Sequence, residues 1–148
     1  MYERHFGISG LPFQLSPDPT FYFDAEQHCG ALTALRQCID SILPFVVLSG
    51  AIGAGKTTVL RTWLHEVQHA GHAHAFITNT LLDADGLLNA ALLALGVPPR
   101  DDAAKPMILL RRHLRSLGGG VLVLAIDEAQ NLDRQGLASL VKLSDVAA

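Results

Sequence analysis

Four side chains in this sequence have the types and spacing needed to work on a polyphosphate. Lys56 and Thr57 close the pattern G-x-x-x-x-G-K-[ST], in which Gly50 and Gly55 are the fixed glycines, while Asp127 and Glu128 end the apolar run Val121-Leu122-Val123-Leu124-Ala125-Ile126. A phosphate chain is held by backbone N–H groups turned inward, and only a loop freed of side-chain bulk wraps closely enough. Gly50, Ala51, Ile52, Gly53, Ala54, Gly55, Lys56, Thr57 and Thr58 are therefore expected to form the nucleotide cradle. Lys56 would reach the β- and γ-phosphates and Thr57 would ligate Mg²⁺. A helix beginning near Lys56 would aim its positive dipole end at the same charge. Asp127 is expected to hold the same Mg²⁺, directly or through water, and Glu128 to orient and deprotonate the water that attacks the γ-phosphorus. The cofactors implied are ATP and Mg²⁺.

These residues need elements that deliver them to one place. Phe45-Val46-Val47-Leu48 is a short apolar run that reads as a buried parallel strand, and Thr58 to His69 reads as a helix with Leu60, Trp63, Leu64 and Val67 on one face. Strand, glycine loop and helix thus follow in the order a phosphate site requires. The run from Val121 to Ile126 is the strongest strand signal in the chain. A parallel strand ends at the carboxyl edge of its sheet, where ligands bind in open α/β folds.

The rest of the chain supplies layers around that sheet. Residues 1–23 hold six of the nine aromatics and three of the seven prolines, a composition suited to an irregular strap. Asp24 to Ile42 fits an amphipathic helix capped by Asp24, with His28, Cys29, Leu32, Leu35, Ile39 and Ile42 on one face. Gly71 stops the helix after the loop, and Ala73 to Thr78 reads as a second strand. A helix within Thr80 to Leu95, capped by Asp83 or Asp85, closes at Gly96. Asp101 to Leu117 gives another helix, with Pro106 in its first turn, and Arg134 to Val146 a last one.

Composition narrows the partners. With 148 residues, 49% hydrophobic and 17% charged, the chain has the material for one domain core. A formal charge of -3 provides no global basic field, so nucleic-acid binding has no support from charge. Arg111, Arg112 and Arg115 read as a solvated helix face. No apolar stretch is long enough to span a bilayer, no signal-type leader is present, and Cys29 and Cys38 are too far apart along one helix to bond, so a cytoplasmic setting is expected. His65-Glu66-Val67-Gln68-His69 is a literal H-E-x-x-H zinc pattern. It falls at the far end of the helix that starts at the phosphate loop, and a solvated helix terminus is the better reading.

Beyond this chemistry, the sequence resembles the AAA-type ATPases related to general secretion pathway protein A, whose relatives include ATPases of pilus assembly and transposition. Tyr2, Phe6-Gly7, Pro12-Phe13, Pro17-Asp18-Pro19, Tyr22 and His28 are similar to that family's opening, and GAIGAGKTT and IDEAQNL to its two nucleotide motifs. The resemblance implies a three-layer α/β P-loop fold of the AAA (ASCE) type. It further implies ATP hydrolysis by a homo-oligomer or larger ATPase assembly, coupled to assembly or secretion-type processes. It also suggests that Asn79, after the second strand, contacts Glu128 and senses the γ-phosphate. A plain turn asparagine is the competing account.

Members of this family continue past the IDEAQ strand into a further strand that lies between the phosphate-loop strand and the Asp127 strand. Residues 1–148 are therefore expected to form a single, partial ATPase domain, with strap 1–23, nucleotide-binding core 24–148 and a parallel sheet incomplete at the C-terminus. Two open strand edges would make the isolated chain poorly soluble or prone to pair with another chain. Two other functions remain open: a hydrolysis-deficient nucleotide-binding fragment, and an ATP-dependent helper of DNA transposition.

Overall fold

The computed structural model describes residues 5–7, 25–97 and 105–145. Helix α1 runs Glu26–Asp40, α2 Lys56–His69, strand β1 Ala73–Ile77, α3 Ala84–Ala94, α4 Pro106–Ser116, β2 Leu122–Ile126 and α5 Arg134–Ser144. Most of the strap expected over 1–23, the Asp24 cap and the start of the helix expected from Asp101 lie outside the described residues.

Each helix buries one apolar stripe, and α2 and α3 pack theirs directly on the strands. Leu32, Leu35 and Cys38 are the buried residues of α1, which moves the stripe away from Cys29 and Ile42; both of these are exposed. In α2 the buried set is Val59, Trp63, Leu64 and Val67, at the three-and-four spacing of a helix face. Helix α3 begins at Asp83, whose carboxylate accepts from the Gly86 N–H at 2.8 Å, and α5 begins in the same way, with Asp133 accepting from Gly136 N–H. Helices α2 and α3 end at Gly71 and Gly96, as the sequence predicts. Helix α1 closes by the same pair of backbone bonds, Ile42 N–H to Ile39 and Leu43 N–H to Cys38, although here a β-branched residue takes the left-handed position, with φ of 49°.

Strands β1 and β2 pair in parallel with Ala73 opposite Leu122 and Ile77 opposite Ile126. Alternation along the strands then divides the core in two. Val123 and Ala125 face α1 and α2, joining Leu32, Leu35, Val59, Trp63, Leu64 and Val67. Ile77 faces the other way, joining Leu87, Leu88, Ala91, Leu92, Leu110 and Leu143 from α3, α4 and α5. Helices on both faces of a parallel sheet make a three-layer α/β arrangement. Arg111 links two helices of the second layer by donating from Nη2 to the Lys142 carbonyl at 3.3 Å. In the first layer, Arg36 grips Glu66 through bonds of 2.8 and 2.6 Å, and that hydrogen bonding holds the Glu66 carboxyl below its ordinary range. The pair is partly solvated and contributes little to stability.

One expected strand is not formed. Residues 45–50 carry no regular structure, and Phe45, Val46 and Val47 are 51%, 43% and 86% exposed. Only Leu48 of that run packs on the α1–α2 core. Among the described residues this segment pairs with neither β1 nor β2, and an apolar run becomes a buried strand only when it is paired in a ladder. On α5, Leu137 and Val141 are likewise about half exposed, while Leu143 is buried.

The two cysteines differ in access. Cys29 is exposed, while Cys38 is buried and donates from Sγ to the Ala34 carbonyl at 3.0 Å. Burial pushes the Cys38 thiol pKa up, which depletes the reactive thiolate. Iodoacetamide is expected to modify Cys29 in the native chain and Cys38 only after denaturation, as read by peptide mass; equal labelling of the two in the native chain would contradict this packing of α1.

Candidate nucleotide-binding site

The site forms where the loop before α2 meets the end of β2. Gly53 and Gly55 have φ of 78° and 79°, the left-handed region in which a Cβ is strained, so these two positions are where the loop's path demands glycine. Gly50 has an ordinary φ, and a Cβ built on it meets only normal contacts, the nearest at 3.7 Å to Ala54 Cβ. Lys56, on the first turn of α2, folds back so that Nζ donates to the carbonyls of Gly50 and Ala51 at 3.1 and 3.0 Å. Its cationic head therefore stands over the entry of the loop, with Ala51, Ile52, Gly53 and Ala54 exposed beside it.

Thr57 and Asp127 come together from positions 70 residues apart: Thr57 Oγ1 donates to Asp127 Oδ2 at 2.8 Å. Asp127 is placed by the sheet, its N–H extending the ladder to the Ile77 carbonyl at 2.9 Å. A hydroxyl and a carboxylate are hard oxygen donors, the class Mg²⁺ takes together with phosphate oxygens and water. The residues thus fit the ion expected from the sequence. Among the described residues no group of three His, Cys, Asp or Glu side chains could hold a metal by itself.

Glu128 follows in a left-handed turn, φ 52° and ψ 38°, which costs a non-glycine residue of order 1–2 kcal/mol. Its surroundings hold that turn. Thr80, a polar residue only 2% exposed, donates from Oγ1 to the Glu128 carbonyl at 3.1 Å, and Asn131 Nδ2 donates to the same hydroxyl at 3.4 Å. The Glu128 carboxylate is exposed and accepts from Gln130 Nε2 at 2.5 Å. Asn79 stands at the same sheet edge, exposed, with Oδ1 accepting from the Leu81 N–H at 3.2 Å.

Three contributors were not assigned these contacts by the sequence reading. Thr80 sits at the start of a predicted helix segment, and its hydroxyl gave no signal of reaching a turn 48 residues later. Gln130 lies within IDEAQNL and was legible there by its two-residue spacing from Glu128. His28 was read as part of a helix face and of the family opening, whereas its Nε2 stands 3.0 Å from the Ala54 carbonyl. The H-E-x-x-H segment lies at the other end of α2; His65 and His69 meet edge to face at 4.4 Å between ring centres, and Glu66 is turned to Arg36.

Residues 43–148 match the family model described as AAA domain. General secretion pathway protein A of Aeromonas hydrophila is 35% identical over 136 residues, covering 89% of this chain and 25% of that protein. The chain thus spans about a quarter of the length of the curated relative it matches. No solved structure matches it. Among the described residues no helix is long and apolar enough to cross a membrane. With the family model matching residues 43–148, nearly three quarters of the chain and all of the loop, hydroxyl and acids just described, the chain belongs to the AAA domain family.

Proposed function

We propose that this chain binds ATP with Mg²⁺ and, with its site complete, hydrolyses it, as one domain of a homo-oligomer or larger ATPase assembly serving an assembly or secretion-type process. The observation that carries the reading is the 2.8 Å bond between Thr57 and Asp127, which unites the phosphate-loop hydroxyl with the acid at the end of β2. Residues 50–58 would wrap the phosphates, Lys56 would leave the Gly50 and Ala51 carbonyls for the β- and γ-phosphates, and Thr57 and Asp127 would hold the ion. When bound, Mg²⁺ neutralises charge on the phosphate oxygens. Glu128 would accept the proton of the attacking water, and Asn79, on release from Leu81, would report the γ-phosphate to it. We place the chain in the cytoplasm and read residues 1–148 as a single, partial domain.

A second reading, a nucleotide-binding module without turnover, is favoured by one observation: the segment feeding the loop, residues 45–48, has no strand beside it among the described residues. Phosphoryl transfer depends on positioning, so a loop without that support would bind and not turn over. Steady-state phosphate release by the purified chain with Mg²⁺ and ATP separates the two. Turnover above that of the Glu128→Gln variant is the expected result; binding without turnover selects the second reading, and turnover only with added DNA would indicate a transposition helper. Absence of ATP binding would refute both main readings.

A further inference from the structure

The phosphate loop is held at both ends, and the hold at its exit comes from a different helix. Lys56 ties the entry through the Gly50 and Ala51 carbonyls. At the exit, His28 of α1 reaches across 26 positions, with Nε2 at 3.0 Å from the Ala54 carbonyl. A Cβ built on Gly55 would lie 3.2 Å from both Cε1 and Nε2 of the same ring, so the imidazole rests against the Gly55 backbone. Two consecutive loop residues thus meet one side chain. A carbonyl only accepts, which assigns the proton of that contact to Nε2.

A peptide unit is planar and trans, so its C=O and N–H point to opposite sides. A carbonyl of Ala54 held on His28 therefore fixes the Gly55 N–H on the side of the loop away from the ring. We infer that His28 is a positioning residue of the phosphate loop: by donating to Ala54 it presents the Gly55 N–H to the bound phosphate. The inference rests on the nucleotide-binding reading above and adds to it a residue outside both nucleotide motifs. An exposed loop with glycines at two of its turns has much freedom to lose on binding, and a fixed exit removes part of that cost beforehand.

Two variants of the full chain separate the hydrogen bond from bulk. His28→Leu keeps an apolar side chain against Gly55 and removes the donor, whereas His28→Gln keeps an N–H donor the same number of bonds from the backbone. Titration with a fluorescent ATP analogue and Mg²⁺ is expected to give His28→Leu a Kd about three- to tenfold above wild type, the range of one hydrogen bond, and His28→Gln a Kd within about twofold. Thr33→Ala, which removes the bond from Thr33 to the Cys29 carbonyl within the same helix, should leave Kd unchanged and thereby control for helix stability. Thermal melting confirms that each variant is folded. The inference is overturned if His28→Leu binds like wild type while Lys56→Ala in the same series does not bind, if His28→Gln is as weak as His28→Leu, or if Thr33→Ala reproduces the loss. A wild-type chain that does not bind the nucleotide overturns the underlying reading as well.

Discussion

Lys56→Ala is expected to weaken ATP binding by about 10- to 100-fold, the effect of removing a charge-assisted contact from a phosphate site. Lys56 is half-buried, and its ammonium group is hydrogen-bonded to the loop. The same side chain links two loop carbonyls, so its loss also frees the entry of the loop. Equilibrium titration with a fluorescent ATP analogue measures the sum of these effects. Lys56→Met keeps most of the side chain's length without its charge and separates them: a loss as large as in the alanine variant assigns the effect to the ammonium group. Binding within twofold of wild type in both variants would refute the assignment of residues 50–58 as a phosphate cradle.

Glu128→Gln should leave ATP affinity within about twofold and reduce turnover by about 10²- to 10⁴-fold, the usual contribution of a positioned general base. The two measurements diverge because the Glu128 carboxylate is exposed at the sheet edge and bonded to Gln130, while Asp127 and Thr57 are joined to each other. The substitution preserves shape and removes only the basic oxygen. It also keeps the bond from the Thr80 hydroxyl to the residue 128 carbonyl, so the left-handed turn should persist. Phosphate release under saturating Mg²⁺ and ATP supplies the turnover figure. Equal loss of binding and turnover would mean that residue 128 maintains the loop and does not serve the chemistry.

How much of this was legible in the sequence depended on range. The face of α2 was nearly right because its spacing is local: the helix buries Trp63, Leu64 and Val67 as read. Stops at Gly71 and Gly96 were legible for the same reason. In α1 the stripe was displaced toward Cys38: Cys29 and Ile42 fit the period and are exposed all the same. The run from Phe45 to Leu48 was misread for a related cause. Its composition suits a strand, but a strand is a relation between two segments, and among the described residues this run pairs with neither β1 nor β2.

By itself, the sequence determined the chemical vocabulary of this protein: a glycine loop with Lys56 and Thr57, two acids after an apolar run, and helices with definite faces. Those features follow from side-chain identity and short spacing, which the chain carries whether folded or not. Only the tertiary structure decided that Thr57 meets Asp127, that buried Thr80 supports the turn at Glu128, and that His28 rests on the phosphate loop. Each of these joins residues at least 26 positions apart. Contacts at that range arise from which faces the helices bury against the sheet, because burial of apolar stripes sets the orientation of every polar group carried on the same elements.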